Sequence, residues 1–466
     1  MLFQKSHRIP FFLIFVALSF SCTSFAESTK PNILFFLIDD QRDTALGCYG
    51  DPLAKTPAVD QLAENGVLFQ NAFVTTSICM ASRASFFTGQ VTRSHGVPYY
   101  RTPLSDEKTH TVYPILLRKA GYRVGYVGKF HFQVDGSNTP DKWFDFYHKI
   151  SRPLIRKKPD GSTHHGTAEL QEKVYGFLNK QTKDQPFCLS ISFHAAHAED
   201  PNHEPGQGHF PYLNEFADSY TDVDFPEPRL SDPKIYESQP EFLKESLNRV
   251  RYFWRWDTPK KYQANIKAYY QMIRGIDQTI GKAMKILEER GLADNTIIIY
   301  MADNGFYMGD RGFAGKWSHY EESLRVPLII MDPRNSAVAG SRIEQLTLNT
   351  DIPSTILDWA GIEIPKKYQG ESLLPLLDGQ NIQLRESIFC ESLYPPNVIP
   401  KWEGVRNSRY VYARYFEQDP VYEFLHDLKK DPDQLRNFAS DPNYAKVLND
   451  LRTECDQYIA QYEAAR

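Results

Sequence analysis

Cysteine is scarce in this chain, with six residues in 466, and they are spread widely in no repeating pattern. That spacing excludes both a disulfide framework and a zinc cluster. The sequence leaves open whether one bridge forms among Cys48, Cys188, Cys390 and Cys455. Excess positive charge is also missing: 53 Lys and Arg stand against 58 Asp and Glu, for a net charge of −5. Nucleic acid is therefore not the expected partner, and an anionic ligand has to be met by a local cluster of cations. No apolar run beyond the N-terminus is long enough to cross a membrane. Internal repeats and low-complexity tracts are absent as well. With 41% hydrophobic and 24% charged residues the composition is that of a globular protein. The length suits one large α/β domain with a smaller one appended.

What is present begins with an export signal over residues 1–26. Lys5, His7 and Arg8 precede the apolar run Pro10–Phe20, and Ser24-Phe25-Ala26 offers a cleavage site. The mature chain is thus expected to be periplasmic or secreted. Lipid anchoring through Cys22 is the alternative, although the residues before it match a lipobox poorly.

The strongest strand signals share one feature: each ends in chemistry. The run Asn32–Ile38 is apolar throughout, as a strand buried on both faces of a parallel sheet should be, and it ends in Asp39-Asp40. Asn295–Met301 repeats the pattern and is followed by Asp303-Asn304. Tyr122–Val127 leads to Lys129 and His131, and Phe187–Phe193 leads to His194 and His197. Open α/β sheets bind ligands at the carboxyl ends of their strands. Asp39, Asp40, Asp303 and Asn304 offer only oxygen, which suits a hard cation such as Ca²⁺, or less favourably Mg²⁺. No third His or Cys stands at zinc spacing to His194 and His197, so these two are expected to face substrate.

Other segments frame these ends. Helices are expected at Thr56–Ala63, with Thr56 as cap, at Tyr113–Ala120, and over Tyr262–Arg290, closed by Gly291. Residues 198–259 lose regularity and read as a substrate loop. Within that loop Trp254 and Trp256 are candidates for stacking on a sugar, against the plain alternative that they pack. A Gly-rich stretch from Gly309 to Gly315 precedes Lys316. From about residue 385 the pattern changes to short strands and a final helix, an antiparallel sheet with a helix.

The stretch Ser77–Gly89 places Cys79 one helical turn before Arg83 among small residues that let a backbone pass close to a ligand. A thiol beside a guanidinium is a sensible place to meet an oxyanion, whereas an isolated Cys is more often a packed one. Here Cys79-x-Ala81-Ser82-Arg83 with Thr88-Gly89 resembles the signature of type I sulfatases. Asp39-Asp40, Gly128-Lys129-x-His131, His194-x-x-His197, Asp303-Asn304-Gly305 and Gly315-Lys316-Trp317 follow in that family's order. Tyr320-Glu321-Glu322-x-x-Arg325-Val326-Pro327-Leu328 and Asp427-Leu428-x-x-Asp431-Pro432 are similar to it too. The resemblance covers nearly all the mature chain except residues 198–260. The sequence departs at Phe130, Phe132 and Ala196, where the family usually has Trp, Leu and Pro.

The resemblance implies an alkaline-phosphatase-like α/β fold: a large mixed sheet flanked by helices over residues 27–375, and a smaller C-terminal antiparallel sheet plus helix over 376–466. It implies that a maturation enzyme converts Cys79 to formylglycine. Asp39, Asp40, Asp303, Asn304 and the matured Cys79 would then hold Ca²⁺. The hydrated aldehyde carries two hydroxyls, one to attack sulfur and one to expel sulfate, which a serine or a plain cysteine lacks. Arg83 and Lys129 would stabilise the diol and sulfate oxygens, His131 would assist elimination, and His197 with Lys316 would bind sulfate and protonate the leaving oxygen. The expected activity is hydrolysis of sulfate monoesters on a sulfated carbohydrate. An arylsulfatase, a phosphonate or phosphate monoester hydrolase, and a non-catalytic binding protein with an unmatured cysteine are the alternatives.

Overall fold

The computed structural model describes residues 1–2, 30–395 and 397–466; residues 3–26 of the expected export signal, Cys22 among them, lie outside the described residues. The central sheet contains β1 (Asn32–Ile38), β2 (Val67–Phe69), β3 (Arg123–Gly128), β4 (Phe146–Lys149), β5 (Phe187–Ser192), β6 (Thr296–Ala302), β7 (Leu328–Met331) and β8 (Ser341–Ile343). Their spatial order is β8-β2-β7-β6-β1-β5-β3-β4. β6, β1, β5, β3 and β4 run parallel, and β7 runs against both of its neighbours. Every residue of β1, β5 and β6 is buried, which explains why their sequences show no polar alternation.

The helices used below are α1 (Pro57–Glu64), α2 (Cys79–Thr88), α3 (Tyr113–Lys119), α4 (Gly166–Leu178), α5 (Leu247–Arg255), α6 (Pro259–Glu289), α7 (Asp351–Trp359) and α8 (Ala445–Ala464). One group, α1, α4 and α6, packs together; α2, α3 and α7 form a second. The expected stripe on α6 is buried at Ile266, Tyr269, Tyr270, Ile273, Ile276, Ile280 and Leu287, with Met284 half-buried.

Two local expectations need correction. Thr56 precedes α1 but its side chain does not cap the helix. The cap comes from α6 instead: Asp277 accepts hydrogen bonds from the backbone N–H groups of Ala58 and Val59, both at 2.9 Å. Asp277→Ala is therefore expected to cost about 1–2 kcal/mol, read as an earlier midpoint of chemical unfolding, because it orphans two helix-terminal donors. The second correction concerns residues 198–259, which are not irregular throughout. They contain α5, and its helical path separates Trp254 from Trp256.

At the C-terminus β9 (Ser387–Ser392), β10 (Trp402–Asn407), β11 (Tyr410–Tyr415) and β12 (Tyr422–Asp427) form an antiparallel sheet in that order. Its two faces alternate with period two. Phe389, Val405, Tyr412 and Leu425 pack on α8 through Leu448, Leu451 and Cys455, while Ile388, Cys390, Trp402, Ala413 and Phe424 join the main core. All cysteines among the described residues are free thiols.

Candidate active site

The site assembles at the carboxyl ends of four neighbouring strands, β6, β1, β5 and β3. Asp39 and Asp40 leave β1, Asp303 and Asn304 leave β6, His194 and His197 leave β5, and Lys129 and His131 leave β3. Asp40 takes a left-handed conformation (φ 52°), which turns the chain as it leaves the sheet. Gly128 has φ 116°, and a Cβ there would lie 1.9 Å from the carbonyl oxygen of Ser192. Only glycine lets β3 and β5 close so tightly that the Lys129 N–H donates to that same carbonyl at 2.8 Å. Phe130 and Phe132 then pack into an aromatic cluster, their ring centroids 4.4 Å apart, with Phe87 and Trp143. Lys129, Phe130 and His131 all line the cavity.

Cys79 opens α2, all ten residues of which are buried. Its small residues let the helix sink into the core, as a helix without a polar face must. One turn on, Arg83 is fully committed. Nε donates to Asp303 Oδ2 at 2.8 Å, Nη1 donates to the Lys129 carbonyl at 2.8 Å and to Ser192 Oγ, and Nη2 donates to the Phe193 carbonyl at 3.3 Å. The structure thus places Arg83 behind the acidic groups, tying three strand ends together, and not on the cavity wall.

The acidic cluster is crowded and short of donors. Lys129 Nζ pairs with Asp39 and Lys316 Nζ with Asp40. Asn304 Nδ2 donates to Asp40 Oδ1 at 2.7 Å. Yet Asp39 Oδ1, Asp40 Oδ2 and Asn304 Oδ1 are buried with no hydrogen-bond partner. Ligand atoms of Asp39, Cys79 and Asp303 lie within 4.8 Å of one another, as do those of Asp39, Asp40 and His197. Burial opposes charge on Asp39, but Lys129, Arg83 and Lys316 outweigh it and hold this carboxyl well below the ordinary range. Burial and the Asp39 charge push Asp303 well above that range. Orphaned, buried, all-oxygen acceptors with one acid held up by its neighbour are what a hard cation would satisfy, so the residues fit a Ca²⁺-type ion.

Around this cluster opens a cavity of about 370 Å³, lined by Cys79, Lys129, His131, His194, His197 and Lys316 among others. Lys316 lies between Gly315 (φ 101°) and Trp317 (φ 83°), and its carbonyl accepts from Asn248 of α5 at 2.7 Å. Trp402 of β10 donates to the Trp317 carbonyl at 2.7 Å. Burial opposes the Lys316 charge, but Asp40 overrides it and raises the pKa. His197 turns Nε2 toward Asp40 Oδ2 at 3.6 Å, and burial with Arg152 and Lys129 pushes its imidazole well below the usual range. His194 Nε2 donates to the Ile150 carbonyl at 2.8 Å, and its Nδ1 is buried in the wall with no partner. His131 is exposed at the mouth with φ 72°.

Trp254 and Trp256 do not enter the cavity. Trp256 is 4% exposed and packs on Phe210 and Tyr262, and Trp254 stacks on His203 with centroids 4.4 Å apart. The residues that do line the wall from this region are Leu247 and Arg251, one turn apart on α5. Trp317, already in the Gly315-Lys316-Trp317 motif, lines it too, and so do Arg152, Asp200, Tyr394 and Ile399, which the sequence did not single out. Arg152 was findable: it follows β4, another strand end, but β4 is half-buried and lacks the apolar run that marked the others.

Buried oxygen acceptors backed by cations at the carboxyl edge of the sheet make a site suited to an anionic ester. The family is fixed by comparison: the model for the sulfatase family matches residues 31–362, and the chain belongs to that family and is a sulfuric ester hydrolase. A second family model, described as the C-terminal part of N-sulphoglucosamine sulphohydrolase, matches residues 309–461. The chain is similar to an N-acetylglucosamine-6-O-sulfatase of Bacteroides thetaiotaomicron, 26% identical over 99% of this chain and 92% of the relative. It resembles the solved structure of BT4656 in complex with its substrate D-glucosamine-2-N,6-O-disulfate, with TM-score 0.78, 26% identity and coverage of 93% and 98%. The phosphonate monoester hydrolase of Agrobacterium radiobacter shares the fold, with TM-score 0.76 at 23% identity and coverage of 93% and 96%.

Proposed function

We propose that this chain is an exported sulfatase that hydrolyses sulfate monoesters on a sulfated carbohydrate, using formylglycine made from Cys79 and a Ca²⁺ ion. The observation that carries the reading is the juxtaposition of Cys79 and two buried lysines on one cavity with three buried carboxylates behind them. The names of relatives that act on sulfated sugars support the carbohydrate part, and the pattern of residues 1–26 supports export.

Asp39, Asp40, Asp303, Asn304 and the matured Cys79 would hold the cation, which supplies positive charge for the sulfate oxygens. Matured to hydrated formylglycine, Cys79 would supply two hydroxyls, one as nucleophile and one to expel sulfate. The chain's own residues do the rest. Arg83 anchors Asp303 and the Lys129 carbonyl, so its role is to position the acids and the lysine rather than to grip substrate. Lys129 and Lys316 approach the cluster from two strand ends and offset negative charge that grows on the sulfuryl oxygens. His131 at the mouth takes a proton during elimination. His197 and Lys316 bind sulfate and hand a proton to the departing oxygen.

The matured protein, given equal concentrations of a sulfated monosaccharide and a phosphate monoester, is expected to favour the sulfate by more than about tenfold in kcat/KM. A preference for phosphate would replace this reading with the phosphomonoesterase one.

A further inference from the structure

Arg152 stands where two spaces meet. It lines the catalytic cavity and also an adjoining groove of about 830 Å³ walled by Pro153, Ile155, Asn202 and Gln207. Its Nη2 donates to His197 Nδ1. That nitrogen also lies 2.7 Å from the Ala198 carbonyl, and it cannot both accept from Arg152 and donate to Ala198. Among the described residues no carboxylate forms an ion pair with Arg152, although Asp200 shares both spaces with it. Asp200 is occupied elsewhere: Arg251 Nη2 reaches Oδ2 at 2.9 Å and Arg255 Nη2 takes Oδ1. Two guanidinium groups on one carboxylate leave surplus positive charge, and Arg251 Nε is buried with no partner. Arg251 is fixed over the Trp317 ring, 4.9 Å from its centroid, beside Lys316.

This charge is set apart from the acidic cluster. The His197 ring stands between them, with Nε2 toward Asp40 and Nδ1 toward Arg152. Lys129 and Lys316 already pair with Asp39 and Asp40, so the cations left over are those at the groove. A guanidinium on a cavity wall with no carboxylate partner is a receptor for a planar or tetrahedral oxyanion.

We propose that Arg152, backed by Arg251, binds a second anionic group of the substrate, so that the preferred substrate is a saccharide carrying a carboxylate or a further sulfate near the scissile ester. The inference rests on the saccharide reading given above. It names a feature of the substrate that the scissile sulfate alone does not require.

The test uses the matured full chain on four substrates: an aryl sulfate, a monosulfated amino sugar, the same sugar with a second sulfate, and a disaccharide that pairs the monosulfated sugar with a uronate. The wild-type protein is expected to favour at least one dianionic sugar over the monosulfated one by about tenfold or more in kcat/KM, mostly through KM. The preference should shrink as salt is raised. Which arm wins tells carboxylate from sulfate. Arg152→Gln is expected to bring the ratio to within about threefold, and Arg152→Lys to keep part of it. A wild-type enzyme that does not separate the sugars, or an Arg152→Gln ratio equal to wild type with kcat lowered on all substrates, overturns the proposal and leaves Arg152 as a support for His197. Turnover of the aryl sulfate with none of the sugars overturns the saccharide reading itself, and this inference with it.

Discussion

Cys79→Ala is expected to lower sulfate release by roughly 10⁴-fold or more, because no other group in the cavity can replace the nucleophile. The fold should survive. Cys79 is 4% exposed at the head of a helix held by many other contacts, and losing one sulfur atom leaves a small void worth about 1 kcal/mol. Circular dichroism and thermal unfolding should therefore stay close to wild type. Cys79→Ser sharpens the point. One hydroxyl attacks but no second one expels, so the variant should stop after one turnover with a gain of about 80 Da on the peptide, the mass of a sulfuryl group. Sustained turnover in either variant would remove Cys79 from the chemistry.

The second large effect concerns the cation. Dialysis against a chelator is expected to reduce activity by more than about 100-fold, with recovery on adding Ca²⁺. A readout independent of activity should follow it. Asp39, Asp40 and Asp303 crowd together with three orphaned oxygens on the cluster, so an ion that binds only the folded state stabilises it. At 100 times its dissociation constant that stabilisation is about 2.7 kcal/mol, which for a chain of this length corresponds to roughly 3 °C in Tm. A chelated protein with unchanged activity and unchanged Tm would show that the acids serve Lys129 and Lys316 alone.

The strands that carry the acids were legible because burial on both faces writes an unbroken apolar run, and the first polar residues after it mark the sheet edge. Asp39-Asp40 and Asp303-Asn304 are read off in this way. The C-terminal sheet was legible for the opposite reason, through short runs of alternation. What escaped depends on distant partners. Nothing near Pro57 says that Asp277, more than 200 residues later, will cap its helix. Nothing in Cys79–Arg83 shows that every donor of Arg83 is taken by other strand ends. For the two tryptophans the plain alternative holds, since Trp256 packs on Phe210 and Tyr262 and Trp254 on His203. Arg152 was hidden by the modest sequence of an edge strand.

The grip of Trp402 on the carbonyl next to Lys316, together with Tyr394 and Ile399 on the cavity wall, has a consequence in time. The acids, the cysteine and the lysines are all made by residue 316, yet Tyr394 and Ile399 of the cavity wall and the Trp402 donor to the Trp317 carbonyl come from residues 394–402. At roughly 5–20 residues per second of synthesis, the catalytic groups exist for several seconds before the cavity can close around them. Activity therefore waits until the C-terminal sheet, near the end of the chain, has taken its place.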